Sequence, residues 1–152
     1  MIRKVYIAGP MSGLPSFNYP EFNRLAAELR LTVVEPRVHL EVVNPAEFPD
    51  RHLDAILASP DGDPAMLAPL TGMTWGDYVA RALKVIADEP GLDAIITLPG
   101  WDKSRGARIE TFIGHVRGLK IITYHRTYDG RIQLFEHTRA VLLRAWEGDV
   151  HA

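Results

Sequence analysis

The amino-acid sequence predicts a single α/β domain, with a three-layer, mostly parallel flavodoxin-like or Rossmann-like sheet and helices on both faces. Short apolar segments of strand length alternate along the chain with amphipathic segments of helical period, which is the pattern of parallel βαβ units. The chain has 152 residues, of which 47% are hydrophobic and 24% charged. This size and balance are typical of one globular domain, so we take residues 1–152 as a single unit.

The first predicted elements are a strand, a helix and a second strand. Residues 4–8 form a short, mostly apolar run that a Gly-Pro pair ends abruptly. Residues 20–30 have apolar side chains at helical spacing, with a proline that suits the first turn of a helix. Residues 40–43 predict the second strand, which stops at an Asn-Pro step.

Residues 46–72 are predicted to be a proline-rich excursion from the sheet. Six of the eleven prolines lie between residues 36 and 69. Each of them removes an amide donor and restricts the residue before it, so a long helix is excluded here. A lid over a site, a contact between subunits and an inert surface segment are all consistent with this pattern.

The second half of the chain has a clearer period. Its helix over residues 75–89 separates an apolar stripe from a charged one and ends at a Pro-Gly pair. The later predicted elements are a strand over 93–98, a helix over 104–116 with Gly118 as its stop, strands over 119–124 and 132–135, and a last helix ending near residue 146.

Composition and charge exclude several classes of function. Seventeen Lys and Arg against nineteen Asp and Glu give a net charge of −2, which argues against a partner that is a nucleic-acid polymer. The chain has no cysteine, and its six histidines lack metal-ligand spacing, so no metal site is expected. With no long apolar run and no signal-peptide pattern, we expect a cytoplasmic protein without membrane contact.

Two Gly- and Pro-rich segments directly follow the first and third predicted strands. In an open parallel sheet, ligands sit outside the carboxyl ends of the strands, so these segments are candidate ligand loops. Glycines allow close approach to the backbone, and free amides at a helix start can hold an anion. On spacing alone, ordinary turns are the favoured interpretation. The candidate residues are Gly9, Pro10, Met11, Ser12 and Gly13 in the first segment, and Gly100, Trp101, Ser104, Arg105 and Gly106 in the second.

Two tryptophans border these segments. Trp75 begins the helix before the third strand, and Trp101 lies in the turn after that strand. Stacking on a ligand base and packing in the core are equally consistent with both positions.

Glu110 favours a functional interpretation. It follows Ser104 by six positions, which is about 9 Å of axial rise along a helix. A phosphate at the helix start would leave Glu110 near the sugar carbon of a nucleotide, where a carboxylate can form a glycosyl ester. The alternative is an ordinary solvated carboxylate on a helix.

Several motifs resemble one protein family. They are Val5–Gly13, the Val43-Asn44-Pro45 step, Leu98–Trp101 and Ser104–Glu110. Together they resemble DUF4406, a family common in bacteriophages and their hosts, within the nucleoside 2-deoxyribosyltransferase-like superfamily. The resemblance covers about residues 1–123. It implies either transfer of 2-deoxyribose between bases or hydrolysis of the N-glycosidic bond of nucleoside 5′-monophosphates.

The resemblance also implies residue roles. Glu110 would attack C1′, Tyr6 would hydrogen-bond its carboxylate, and Ser104 would bind a 5′-phosphate. The remaining segment residues would line the substrate. The Ser104–Glu110 spacing matches the nucleotide-hydrolysing branch, which favours hydrolysis over transfer. No cofactor is implied, and a homodimer or larger homo-oligomer that shares residues across its interface is expected.

The sequence departs from the superfamily at one catalytic position. The superfamily places an Asp on the helix before the third strand, and the aligned residue here is Ala82. Asp77 is the nearest upstream carboxylate and becomes a catalytic candidate, although an i,i+4 surface pair with Arg81 also explains it. Without that Asp, the protonating group would come from elsewhere or from a neighbouring subunit. A binder or sensor of nucleotide-like ligands is therefore the alternative function, and a purely structural or interaction domain is a third.

Overall fold

A computed structural model describes residues 1–148, so the last four residues of the predicted domain lie outside the described part. The strands are β1 (Lys4–Ala8), β2 (Val33–Glu35), β3 (Val38–His39), β4 (Glu41–Val43), β5 (Ala94–Thr97), β6 (Lys120–Arg126) and β7 (Ile132–Glu136). The α-helices are α1 (Tyr19–Arg30), α2 (Leu53–Leu57), α3 (Leu67–Thr71), α4 (Trp75–Asp88), α5 (Arg105–Arg117) and α6 (Arg139–Glu147).

Five strands form the central sheet in the order β4-β1-β5-β6-β7. The pairs from β4 to β6 are parallel, and β7 is antiparallel to β6. β1 therefore lies between β4 and β5, which are the second and third strands of this sheet along the chain. This is the flavodoxin strand order, and its switch point lies at the carboxyl ends of β1 and β5. The predicted mostly parallel α/β fold is confirmed.

Alternate residues of β1 enter two different cores, as the period of a strand requires. Val5 and Ile7 pack with α1 on one face of the sheet, and Tyr6 and Ala8 pack with α4, α5 and α6 on the other. All four side chains are fully buried. The sheet is therefore the middle of three layers, and Tyr6 points to the face that carries α5.

Polar caps set where the three C-terminal helices begin. Thr74, Ser104 and Thr138 are the N-cap residues of α4, α5 and α6, and each side chain accepts a hydrogen bond from a first-turn amide. α5 ends at Gly118 in the left-handed conformation, with φ of +94°, as its sequence position predicts.

Two regions differ from the sequence prediction. Residues 33–39 contain an antiparallel β2–β3 pair that was not predicted, because strands of two or three residues around a proline give no periodic signal. The excursion over 46–72 contains no long helix, as predicted, but it does include the short helices α2 and α3. No helix within residues 1–148 is long and apolar enough to cross a membrane.

Candidate active site

A cavity of about 500 Å³ opens at the switch point of the sheet. Its walls come from the loop after β1, the turn after β5, the first turns of α4 and α5, and the excursion. Open α/β sheets bind ligands at this place because the connections on either side of the switch point diverge to opposite faces. Most of the lining side chains are apolar, and the polar ones lie at the floor, along one rim and in one wall.

The floor of the cavity holds a hydrogen-bonded pair from β1 and α5. The Tyr6 hydroxyl donates to Glu110 Oε2 at 2.5 Å, although the two residues are 104 positions apart in the chain. Burial raises the pKa of Glu110 to about 8, against a smaller lowering by the Tyr6 hydrogen bond. Burial and the Glu110 charge raise the pKa of Tyr6 well above its ordinary value. The pair therefore contains one carboxyl group that titrates near neutral pH.

The loop after β1 needs glycine at its first position. A Cβ on Gly9 would lie 2.6 Å from Leu98 Cβ, closer than side chains tolerate. Farther along, Ser16, Phe17 and Asn18 all have φ between +50° and +62°, which is rare for residues other than glycine. The Asn18 side chain donates to the Pro10 carbonyl at 2.9 Å, which ties this strained turn to the cavity wall.

The start of α5 gives the cavity a positive rim. Ser104 caps the helix by accepting a hydrogen bond from Ala107 N at 3.3 Å, and its hydroxyl hydrogen stays available to a ligand. The Arg105 guanidinium lies 4.4 Å from the centre of the Trp75 ring, which fixes it at this rim. Lys103 lines the same rim. Free amides, the helix dipole and two cations together suit a phosphate or carboxylate.

The structure brings nearly all the sequence-predicted residues to this cavity. Trp75 lines it as well, on the side of α4. The predicted site residues that line the cavity are Tyr6, Gly9, Pro10, Met11, Ser12, Gly13, Gly100, Ser104, Arg105, Gly106 and Glu110.

Trp101 lies elsewhere. It is buried, and its ring centre lies 5.2 Å from that of His137 on the side of α6. It packs in the core formed by α4, α5 and α6, and it does not line the cavity. Of its two sequence interpretations, core packing is the one that the geometry supports, because the turn after β5 directs this side chain away from the switch point.

Asp77 is also outside the cavity lining. It occupies the third position of α4, where its carboxylate accepts a hydrogen bond from Thr74 N at 2.8 Å in a capping box. The predicted surface pair with Arg81 is wrong, because the Asp77 carboxylate caps its own helix. Ala82, the residue aligned with the superfamily Asp, lines the cavity. That position therefore offers a methyl group to a ligand.

The excursion supplies a wall of the cavity, and a position over a site is one of the three alternatives that its sequence allowed. Its lining residues are Phe48, Ile56, Pro64 and Leu67. Backbone hydrogen bonds hold it against the loop after β1, from Gly13 N to Gly62 O and from Ser16 N to Ser59 O, both at 2.8 Å. The only sequence signal was a set of apolar residues within a proline-rich segment.

Arg81 is a cavity-lining cation that the sequence did not predict. It lines the cavity, and its Nη1 donates to the Pro49 carbonyl at 3.2 Å. Its positive charge opposes the rise in the pKa of Tyr6 and of Tyr19, whose pKa burial raises to about 12. Helical spacing had placed it in the charged stripe of α4, and only the position of the excursion reveals its surroundings.

Within residues 1–148, no three His, Asp or Glu side chains are grouped so as to hold a metal ion. The titratable and charged groups that line the cavity are the Glu110 carboxyl, tyrosine hydroxyls and several cations. This set suits acid–base or nucleophilic work on an anionic ligand.

Comparison with known proteins identifies the family. The model of the domain of unknown function DUF4406 matches residues 3–123, which include both candidate ligand loops and Glu110. Searches of curated proteins and of solved structures found no significant match. Because the matched segment is well over half of the chain, the protein belongs to the DUF4406 family.

Proposed function

We propose that this protein cleaves the N-glycosidic bond of a nucleoside or 2′-deoxynucleoside 5′-monophosphate, or transfers 2-deoxyribose, through a covalent ester on Glu110. With it we propose that DUF4406 belongs with the nucleoside 2-deoxyribosyltransferase-like superfamily, which its motifs resemble. The proposal rests above all on the Tyr6–Glu110 hydrogen bond at the floor of a cavity with a cationic rim. The cationic rim would suit the phosphate of a nucleotide, and the carboxyl group at the floor would suit its sugar. We propose that the protein meets this ligand in the cytoplasm.

In the first step, an oxygen of the ionised Glu110 bonds to C1′ as the bond from C1′ to the base nitrogen breaks. The bonding electron pair leaves with the base. Tyr6 keeps its hydrogen bond to the other carboxylate oxygen and orients the attacking one. In the second step, water attacks C1′, releases the sugar phosphate and restores the carboxyl group, whereas attack by a second base would complete a transfer.

The rim would hold the 5′-phosphate while the sugar reaches Glu110. Ser104 and the first amides of α5 are donors, and Lys103 and Arg105 supply positive charge. Glu110 lies six residues further along the same helix, about 9 Å of axial rise from Ser104, so a phosphate at the rim would leave the sugar towards Glu110. Hydrolysis of a monophosphate therefore ranks above transfer between unphosphorylated nucleosides.

Release of free base tests the proposal. Wild-type protein is incubated with a panel of ribo- and deoxyribonucleoside monophosphates and deoxynucleosides, and free base is followed by chromatography. We expect release from at least one monophosphate and a loss of at least about a hundredfold in Glu110→Gln. Glu136→Gln, at an exposed carboxylate that ends β7 outside the cavity lining, is the matched control and should act as wild type. Equal release of free base by Glu110→Gln and wild type would show that Glu110 is not the nucleophile.

A binder or sensor of nucleotide-like ligands is the second candidate. Two observations favour it. Ala82 stands in the cavity where the superfamily has a carboxylate, and Glu110, with a pKa of about 8, is mostly protonated at pH 7. Tight binding of a monophosphate without release of base would support this function.

We also propose that the protein self-associates, as superfamily members do. The exposed face of α5 presents Ile109, Phe112 and Val116 to solvent. Apolar side chains grouped on one helix face are typical of a contact between subunits.

A further inference from the structure

The Arg81 guanidinium is fixed in the cavity wall by groups from two elements. Nη1 donates to the Pro49 carbonyl at 3.2 Å. The guanidinium carbon lies 5.2 Å from the centre of the Phe48 ring and 5.0 Å from that of Tyr78. These contacts join α4 to the excursion, so the side chain has little freedom to turn away from the cavity.

This cation has an unused donor. Arg81 Nε is buried and has no hydrogen-bond partner within residues 1–148. None of the ion pairs in that part of the chain involves Arg81. A buried, unpaired donor on a cation is costly, and a guanidinium has only donors, so the missing partner must be an acceptor.

The position of Arg81 separates it from the rim that would hold a phosphate. The rim cation Arg105 stacks on Trp75 at the start of α4, whereas Arg81 lies more than one helical turn further along. The Arg81 charge acts on the Tyr6 hydroxyl, and that hydroxyl holds Glu110. Arg81 lines the same cavity as Tyr6 and Glu110, on the side where α4 meets the excursion.

Building on the proposed function, we infer that Arg81 binds the base of the nucleotide through its Nε–Nη2 edge. One Nη1 hydrogen is donated to Pro49, whereas Nε has no partner. The hydrogens of Nε and Nη2 lie side by side, so this edge can donate two parallel hydrogen bonds to two adjacent acceptors. The keto oxygen and N7 of a 6-oxopurine form such a pair, whereas a 6-aminopurine presents a donor at one of the two places.

The same contact would assist departure of the base. When the bond from C1′ to the base nitrogen breaks, its electron pair moves into the base ring, and the guanidinium stabilises the negative charge that develops. Glu110 forms the new bond to C1′, and the released base takes its proton from water. No acid is then required at the neighbouring position, where Ala82 stands.

Calorimetric binding tests this assignment in a Glu110→Gln background, which prevents turnover. The ligands are 2′-deoxyinosine 5′-monophosphate, 2′-deoxyadenosine 5′-monophosphate and 2-deoxyribose 5-phosphate. With Arg81 present, the inosine nucleotide should bind roughly tenfold more tightly than the adenosine nucleotide. Arg81→Gln should abolish that difference and leave affinity for the sugar phosphate unchanged. Lys84→Gln removes an exposed cation from the same helix and should change none of the three affinities.

Three results would count against the inference. Equal affinity for the two nucleotides with Arg81 present would overturn the role of Arg81 and leave the proposed function unaffected. So would an equal loss of affinity for nucleotide and sugar phosphate in Arg81→Gln, which would indicate a structural role. Arg81→Lys keeps the positive charge but cannot donate two parallel hydrogen bonds from one planar group. Circular dichroism should show that this variant stays folded, and calorimetry should show that it loses the preference for the inosine nucleotide. Failure of all three ligands to bind would overturn the proposed function as well.

Discussion

The protonation state of Glu110 determines the chemistry that it can perform. With a pKa raised to about 8 by burial, it becomes a carboxylate, the form that the proposed nucleophile requires, only as the pH rises through that value. We therefore expect kcat/KM for base release to increase with pH and to level off above about pH 8, because kcat/KM reports the free enzyme. Initial rates from about pH 5.5 to 9.5 measure this. A fall above pH 8 would instead assign Glu110 the role of general acid.

Replacement of Tyr6 should change the pH at which Glu110 ionises. Its hydrogen bond favours the ionised form of Glu110, so Tyr6→Phe should raise the pKa of Glu110 and shift the rising part of the profile to higher pH. A purely structural role for Tyr6 predicts a lower rate with the midpoint unchanged. The same pH series with the variant distinguishes the two roles.

The buried carboxyl also costs stability at high pH. Above the ordinary pKa of 4.5 the unfolded chain loses the Glu110 proton, whereas the folded protein keeps it up to about pH 8. The free energy of unfolding therefore falls across this window, by roughly 5 kcal/mol from this group. Glu110→Gln should raise Tm at pH 9 and change it little at pH 4.5, which thermal denaturation at both values checks. An equal change at both would contradict the assignment.

At the scale of elements, the cap of α4 decides the role of Asp77. Its carboxylate and the Thr74 hydroxyl each satisfy a backbone amide of the first turn. Asp77→Ala should lower the stability by about 1 kcal/mol and leave the turnover of folded protein unchanged. Urea denaturation and base-release assays measure the two quantities. A large loss of turnover without a loss of stability would restore the catalytic interpretation.

The contact between the excursion and the loop after β1 depends on one glycine. Gly62 has φ of +62°, and a Cβ there would lie 2.2 Å from the Leu14 carbonyl oxygen. Gly62→Ala should therefore separate the two segments, weaken ligand binding and cost several kcal/mol, since both the strain and the clash with backbone must be relieved.

Gly72 is the matched control for this change. It has φ of +74° but open space around the position of a Cβ. Gly72→Ala should cost only about 1 kcal/mol of backbone strain and leave ligand affinity as it is. Equal effects of the two variants on nucleotide affinity would show that the excursion does not form the cavity wall in solution.

At the scale of the whole molecule, the exposed face of α5 predicts self-association. Ile109, Phe112 and Val116 are 38%, 47% and 67% exposed and lie three or four residues apart. Light scattering after gel filtration should give a dimer or larger species, and Phe112→Glu should shift it towards the monomer. Leu31→Glu, at an apolar residue that is 77% exposed away from α5, should leave the mass unchanged. A monomeric wild type would contradict the proposal.

Patterns within single segments predicted most of the fold. The period of residues 75–89, the Gly-Pro pair after β1 and the stop at Gly118 each determine local structure through a few neighbouring residues, and all have counterparts in the structure. The β2–β3 pair escaped this reasoning because its strands are too short to show a period. Local patterns likewise placed two ligand loops at one edge of the sheet, since parallel strands share that edge.

Long-range packing decided the rest of the site. The sequence by itself determined the α/β fold, the loops after β1 and β5, and a carboxylate one and a half turns into α5. The family resemblance implied that Tyr6 meets Glu110, and the structure contains that hydrogen bond. Only the tertiary structure determined that Asp77 caps a helix and that the excursion surrounds Arg81. The physical reason is separation along the chain. Helix and strand periods carry information over a few residues, whereas burial, and with it the raised pKa of Glu110, depends on residues that meet only when the sheet is assembled.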